Sequence, residues 1–141
     1  MRAMILLGLF AGAASALVLP ASAEDGLVLS AVPTAKVESS SDRTERFSLA
    51  PAQAQEFAVV IVKRNGRYFW ASRENRELLH SRSGVFDLFI EPGGSGYIKV
   101  LDQRALPDFL RVPGPAIQYL EQMTLGLATL TYWGEATDFS P

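Results

Sequence analysis

An Asn-Gly pair between two β-rich runs is the feature that most constrains the fold of this chain. Asn65 and Gly66 separate FAVVIVK at 57–63 from RYFWAS at 67–72. Both residues tolerate the positive φ that a type I′ turn requires, so the segment predicts a β-hairpin.

Both faces of this hairpin are apolar. A turn at Asn65-Gly66 places Ile61 opposite Trp70 and Val62 opposite Phe69. One face then carries Val59, Ile61, Tyr68 and Trp70, and the other carries Val60, Val62, Phe69 and Ala71. Strands with two apolar faces are expected in the middle of a sheet that is covered on both sides. We therefore predict that most of the aromatic run 68–70 belongs to the core.

A second hairpin is predicted over VFDLFI at 85–90 and YIKVL at 97–101. The loop between them contains three glycines, Gly93, Gly94 and Gly96, which invites comparison with a phosphate-binding loop. A phosphate-binding loop needs a helix to begin directly after its glycines, whereas the alternation at 97–101 favours a strand. We interpret the segment as a flexible hairpin loop.

The C-terminal third is punctuated by prolines and then changes its pattern. The segment AIQYLEQM at 116–123 has Ile117, Leu120 and Met123 at helical spacing, which predicts a short helix from about Pro115 to Met123. LATLTYW at 127–133 is rich in β-branched and aromatic residues and predicts a strand. The expected fold is a small single α+β domain: an antiparallel sheet of two hairpins and a C-terminal strand, with one short helix packed on it.

The first 23 residues have the pattern of a cleaved signal peptide. Arg2 gives a positive start, residues 4–19 are mostly apolar, and Ala21-Ser22-Ala23 has the small-x-small pattern of a cleavage site. We expect export to the periplasm or the medium, a mature chain that begins at Glu24, and no transmembrane anchor after cleavage. Removal of this segment leaves 118 residues with a formal charge of −3.

Composition divides the mature chain into three parts. Residues 24–50 are predicted to form a polar extension, which GLVLSAV at 26–32 could join to the sheet as a short strand. Residues 51–136 are predicted to be the globular domain, and residues 137–141 a tail. Because the sequence has no cysteine, the domain must be stable through packing, without disulfides.

The hairpin region is locally basic on an acidic protein. Six positive and two negative residues lie between Lys63 and Arg82. The predicted turn places Lys63, Arg64 and Arg67 at one end of the strands, and the remaining arginines at the other. Nucleic-acid binding requires a basic surface over much of the domain, so we predict no nucleic-acid partner.

Residues suited to catalysis are few. His80 is the only histidine, and without cysteine a zinc site would need an uncommon set of ligands. The sequence therefore predicts no metal and no cofactor. A serine triad through His80 and Ser81 or Ser83 is formally possible, as is a carboxylate pair. The carboxylates that could supply such a pair are Asp87, Glu91, Asp102 and Asp108.

The function these observations favour is an exported, non-enzymatic domain that binds another protein or a polymer in the cell envelope. One alternative is a small-molecule or polysaccharide binder with aromatic stacking platforms, for which Tyr97, Tyr132 and Trp133 are further candidates. The other is a hydrolase that uses His80 or a carboxylate pair. The candidate ligand-binding residues are Tyr68, Trp70, Arg73, Arg76 and His80.

Overall fold

The computed structural model describes residues 25–141 and consists mostly of β-strands. The nine strands in this range are β1 (Gly26–Ser39), β2 (Thr44–Ser48), β3 (Val59–Arg64), β4 (Arg67–Trp70), β5 (Arg76–Ser83), β6 (Phe86–Ile90), β7 (Gly96–Asp102), β8 (Ile117–Leu125) and β9 (Ala128–Phe139). A helix, α1 (Pro51–Glu56), lies between β2 and β3, and two single-turn 3-10 helices (Gln103–Ala105 and Asp108–Leu110) lie between β7 and β8. The predicted signal peptide and Glu24 lie outside the described residues.

The sheet closes into an antiparallel barrel. The strand order is β2-β1-β3-β4-β5-β6-β7-β8-β9, and β1 also pairs with β9. Eight strands therefore form a closed ring, and β2 pairs with β1 as an extra strand. The prediction of an α+β sheet with a helix packed on it is wrong, because the hydrogen-bonded ladder returns to its first strand and the core lies inside the ring.

The first hairpin has the predicted register. Ile61 pairs with Trp70, and Val62 pairs with Phe69. The turn residues have positive φ, 52° at Asn65 and 75° at Gly66, as a type I′ turn requires. The hairpin of β6 and β7 is also present, and its glycine loop turns the chain between two strands.

The helix predicted from about Pro115 to Met123 is wrong, because this segment forms β8, which pairs with β7 and β9. Ile117, Tyr119 and Glu121 alternate with outward residues and are buried in the barrel. A charged residue at a buried position interrupts the apolar alternation by which a strand is predicted. The good helix formers Gln, Leu, Glu and Met then favour the wrong assignment.

The barrel interior is filled with side chains. An eight-stranded barrel is just wide enough for its inward residues to meet, and here they form one apolar cluster. Its buried members are Val28, Leu29, Ala31, Val59, Ile61, Trp70, Leu78, Phe89, Ile98, Val100, Ile117, Tyr119 and Phe139. The interior is therefore a packed core.

The seam between β1 and β9 is tight at Gly134. A Cβ atom there would overlap the carbonyl oxygen of Val32 and lie 2.7 Å from Cα of Pro33 and 2.8 Å from the Tyr119 ring. Only glycine permits this approach of two backbones.

The polar segment 24–50 contributes both β1 and β2 to the sheet. β1 is long enough to pair with β3 over its first half and with β2 over its second half, while β9 follows it along most of its length. Within residues 25–141, no helix combines the length and the apolar character needed to cross a bilayer.

Candidate functional site

Two of the aromatic residues proposed from the sequence, Tyr68 and Trp70, point into the barrel. The Trp70 side chain is 1% exposed and belongs to the core. Tyr68 is half-buried and packs against Phe89 and His80, with ring centroids 5.5 Å and 4.9 Å away. A stacking platform must be accessible to its ligand, so Trp70 contributes to packing in this structure.

His80 forms a polar pair inside one end of the barrel. Its Nε2 lies 2.9 Å from Oδ1 of Asp87, which is 4% exposed, and its ring stacks on Phe89. Ser81 and Ser83 lie on β5 at positions of opposite alternation to His80, so their side chains lie on the outer face of the strand. The geometry therefore does not join either serine to His80 as a nucleophile.

Arg73 and Glu121 form an ion pair at the other end of the barrel. Glu121 is fully buried, and its Oε1 accepts a hydrogen bond of 2.7 Å from Nη2 of Arg73. The guanidinium also lies over the Trp70 ring, 5.5 Å from its centre. Burial raises the pKa of the Glu121 carboxyl, and the charge of Arg73 offsets this only in part.

Three buried polar atoms belong to this same set of interior side chains. Trp70 Nε1, Tyr119 Oη and Glu121 Oε2 have no hydrogen-bond partner among the described residues. Such groups cost free energy when they are left unpaired, and buried water commonly bonds to them. Arg73 thus covers an end of the core that is more polar than the sequence predicts.

Arg76 lies in an exposed ion pair away from the core. Its Nη1 donates to Oε1 of Glu91 at 2.8 Å, and Ser95 Oγ donates to the other carboxylate oxygen at 2.6 Å. These bonds hold the glycine loop against the turn that follows β4. The five candidate residues therefore do not converge: Tyr68 and His80 lie together near one end, and Trp70, Arg73 and Arg76 lie near the other.

A different surface has the character of a binding site. The outer side of β6 and β7 is largely apolar and is extended by single apolar residues of β5, β8 and β9, although an antiparallel sheet that faces water usually alternates apolar inside with polar outside. We call it the apolar face; its residues are Leu79, Phe86, Leu88, Ile90, Tyr97, Lys99, Leu101, Leu120 and Trp133. Leu79 is 59% exposed and Trp133 is 38% exposed.

The register makes the apolar face continuous. Leu88 lies beside Lys99, Lys99 beside Leu120, and Leu120 beside Trp133, which forms one row across four strands. A shallow depression of about 320 Å³ lies between Leu88, Ile90, Tyr97 and Lys99. Large side chains from adjacent strands thus form one surface that is open to solvent.

Lys99 is the single charge within the apolar face. Its Nζ lies 3.9 Å from the centre of the Phe86 ring, in a cation–π contact. Among residues 25–141 it forms no ion pair with a carboxylate. The apolar face therefore has an unneutralised positive charge among exposed and half-buried apolar side chains.

Sequence reasoning identified only part of this surface. Tyr97 and Trp133 were candidates as stacking residues, but nothing marked the leucines beside them. The signal in the sequence is that Phe86, Leu88 and Ile90 are all apolar. These three residues alternate along β6 with Asp87 and Phe89, which point into the barrel. Such a run is equally typical of a strand that is covered on both sides, so the sequence does not reveal that one face stays open.

Comparison of the chain with models of protein families, with curated proteins and with solved structures finds no match.

Proposed function

We propose that this protein is an exported, non-enzymatic domain that binds a partner protein through the apolar face. The observation that carries the proposal is the row Leu88–Lys99–Leu120–Trp133, in which half-buried leucines and the exposed Trp133 lie around an ammonium group that forms no ion pair among the described residues. Contiguous exposed apolar surface with a polar rim is typical of interaction sites.

The composition of the apolar face favours a protein over a polysaccharide. Most of its members are aliphatic, and leucine and isoleucine do not provide the flat rings on which sugars stack. Trp133 and Tyr97 lie on strands that are separated by β8, so they do not form one aromatic platform. Aromatic and aliphatic anchors inside a rim of glutamine, serine and threonine side chains fit the usual organisation of protein interfaces.

The charge of Lys99 defines the chemistry of the partner. When a partner covers the apolar face, the ammonium group loses water, and leaving it unpaired would cost free energy. A carboxylate from the partner would compensate for that cost and fix the orientation of the complex. We therefore expect a partner surface in which an aspartate or glutamate is surrounded by apolar residues.

Export is supported by residues 1–23 alone. The positive start, the apolar run and the small-x-small ending are the features from which we infer cleavage and transport. A partner in the periplasm or outside the cell is consistent with that inference.

Site-specific photocrosslinking in the producing cell tests the proposed function. Benzoylphenylalanine replaces Tyr97 or Trp133 on the apolar face, and Phe69 on the outer face of β4 serves as the matched aromatic control. We expect adducts with one protein at both apolar-face positions and none at Phe69. The adducts should disappear when Lys99→Glu is added and persist with Lys99→Arg.

The identity of the adduct decides between classes of partner. Mass spectrometry should place the crosslink in a peptide that contains an acidic residue beside apolar ones, and the purified partner should bind the purified chain. Adducts that contain hexose units would contradict the proposal and support polysaccharide binding. Equal crosslinking at Phe69, or none at either apolar-face position, would also contradict it.

A further inference from the structure

A second surface with binding character lies at β2, the strand outside the ring. β2 pairs with β1 from Thr44 to Ser48, and its other edge has no strand partner among the described residues. An open edge presents backbone N–H and C=O groups that can pair with another extended chain.

The pairing with β1 shows which groups of β2 are available. Leu49 N–H donates to Thr34 C=O at 3.1 Å, and the register places Phe47 opposite Lys36. In an antiparallel ladder, alternate residues direct both backbone groups to the same neighbour. The backbone N–H and C=O groups therefore face β1 at Glu45, Phe47 and Leu49. At Thr44, Arg46 and Ser48 they face away from β1.

A groove lies over the face of the β1–β2 pair that carries Lys36 and Phe47. It has a volume of about 410 Å³ and lies between β2, the end of β1 and α1. Phe47, Leu49 and Phe57 supply apolar walls, and Phe47 is 40% exposed. The ammonium group of Lys36 lies 5.7 Å from the Phe47 ring and 5.8 Å from the Phe57 ring, so the two rings flank it.

The charges along the groove are not balanced. Lys36 forms an ion pair with Glu38, and this bond raises the pKa of the lysine. Glu56 also lines the groove and has no cationic partner among residues 25–141. The groove therefore combines apolar walls with a free carboxylate.

We propose that β2 binds an extended peptide segment of another protein by strand addition. The peptide backbone pairs with Thr44, Arg46 and Ser48, and an apolar side chain of the peptide lies against the exposed ring of Phe47. A lysine or arginine of the peptide lies beside Glu56. Main-chain pairing supplies affinity in this mode of recognition, and the side-chain pockets supply specificity.

A second copy of the chain is disfavoured as the occupant. Pairing of two β2 strands through their open edges places Arg46 opposite Arg46 in the centred register, and Glu45 opposite Glu45 in the register two residues away. Like charges that lie directly opposite each other destabilise a strand pair. The third central register places Phe47 opposite Phe47 and Arg46 opposite Ser48, so the charges of β2 disfavour two of the three central registers of self-pairing and favour a different chain as the occupant.

Peptide selection against the full chain tests the proposal. A phage library of random decapeptides is selected on immobilised wild-type protein, and enriched peptides are synthesised. Arg46→Pro removes an outward N–H and leaves the bonds from β2 to β1 intact, so it should weaken binding at least tenfold. Arg46→Ala keeps that N–H and is the matched control, with affinity within about twofold of wild type.

Two further measurements locate the peptide independently of the proline variant. Hydrogen exchange at Arg46 and Ser48 should slow when peptide is bound. Glu56→Gln should weaken peptides that contain lysine or arginine severalfold, and leave alanine-substituted versions unchanged. If Arg46→Pro does not fold, hydrogen exchange and the Glu56→Gln affinities alone decide whether the peptide binds at β2.

The outcomes separate this proposal from that of the apolar face. Lys99→Glu lies on another surface and should leave peptide affinity unchanged. No enriched peptide, or equal affinity for Arg46→Pro and wild type, would overturn strand addition while leaving the apolar face untouched. A dimer in sedimentation experiments that Arg46→Pro abolishes would overturn it in favour of self-pairing.

Discussion

Arg73 and Glu121, separated by 48 residues in the chain, are joined by a 2.7 Å hydrogen bond at one end of the barrel. Glu121 is 0% exposed, whereas one third of the Arg73 side chain is accessible to solvent. Arg73, in the turn between β4 and β5, thereby supplies the counter-charge for Glu121 on β8, on the opposite side of the ring. Variants of this pair test the arrangement of the core most directly.

Removal of the arginine leaves a buried carboxylate unpaired. We expect Arg73→Ala to lower the free energy of unfolding by about 2 to 3 kcal/mol, less than the ~3–5 kcal/mol for fully buried pairs because Arg73 is partly exposed. Arg76→Ala breaks an exposed pair with Glu91 and should cost about 1 kcal/mol or less. Urea denaturation of both variants measures the difference, and equal losses would contradict the assignment.

The raised pKa of Glu121 predicts a pH dependence. An acid whose pKa is raised by folding binds its proton more tightly in the native state, so its contribution to stability is present below the unfolded pKa. That contribution is lost as pH rises above 4.5, the ordinary value, through the folded pKa. The stability of wild type relative to Glu121→Gln should therefore fall over this range.

Glu77 provides a control of opposite sign. Its hydrogen bonds from Arg67 lower its pKa, so its contribution is present above 4.5 and is lost as pH falls. Thermal melts of wild type, Glu121→Gln and Glu77→Gln across pH measure both trends. A Glu121→Gln curve parallel to that of wild type would show that burial does not perturb the carboxyl.

The two tryptophans should differ in accessibility. In Trp133→Phe the remaining Trp70 is buried, so its fluorescence should be blue-shifted and resist quenching by acrylamide. In Trp70→Phe the remaining Trp133 should be quenched readily. Trp70→Ala should also cost about 3 to 5 kcal/mol, the usual loss for a large buried ring. Efficient quenching of Trp70 would contradict its position in the core.

The glycine loop between β6 and β7 is expected to allow the chain to turn and to have no role in binding phosphate. Gly93 and Gly94 have φ of 102° and 76°, a region that residues with a Cβ rarely adopt. Alanine at either position should lower stability by about 1 kcal/mol. Gly26→Ala is the control, since Gly26 has ordinary φ and no neighbour within 4 Å of an added Cβ. Loss of a measurable phosphate affinity in the Gly93 and Gly94 variants would overturn this interpretation.

The proposed export gives a prediction that mass spectrometry checks. Cleavage after Ala23 should yield a mature chain that begins at Glu24 and lacks Arg2. An exported protein whose intact mass still includes residues 1–23 would contradict both the cleavage site and the proposal that the chain is released from its signal.

Local patterns predicted strands more successfully than their assembly. Asn65-Gly66 fixed the first hairpin because the turn chemistry and the flanking β-branched residues agree, and Ile61 does pair with Trp70. Closure of the barrel depends on pairing between β1 and β9, and no local signal reports that contact. The segment of β8 predicts a helix because Ile117, Leu120 and Met123 fall at helical spacing, whereas the core position of Glu121 depends on its distant partner Arg73, which no local pattern reports.

The same difficulty applied to the candidate sites. Tyr68, Trp70 and His80 are candidates by sequence because aromatic and titratable side chains often bind ligands, yet the closed ring turns all three inward. The members of the apolar face are ordinary leucines and isoleucines in sequence. Their significance comes from the side of the sheet that they occupy, which becomes known only when the ring closes.

The seam between β1 and β9 also determines how the chain must fold. Leu29 pairs with Phe139, so the ring contains contacts that span almost the whole described length. Such a high contact order makes folding slow, because the loop must close before the contacts at its ends contribute. No part of the chain that stops before β9 can complete the ring. Synthesis must therefore extend through β9 before the native state exists, and a product that stops earlier would expose both unpaired edges to aggregation.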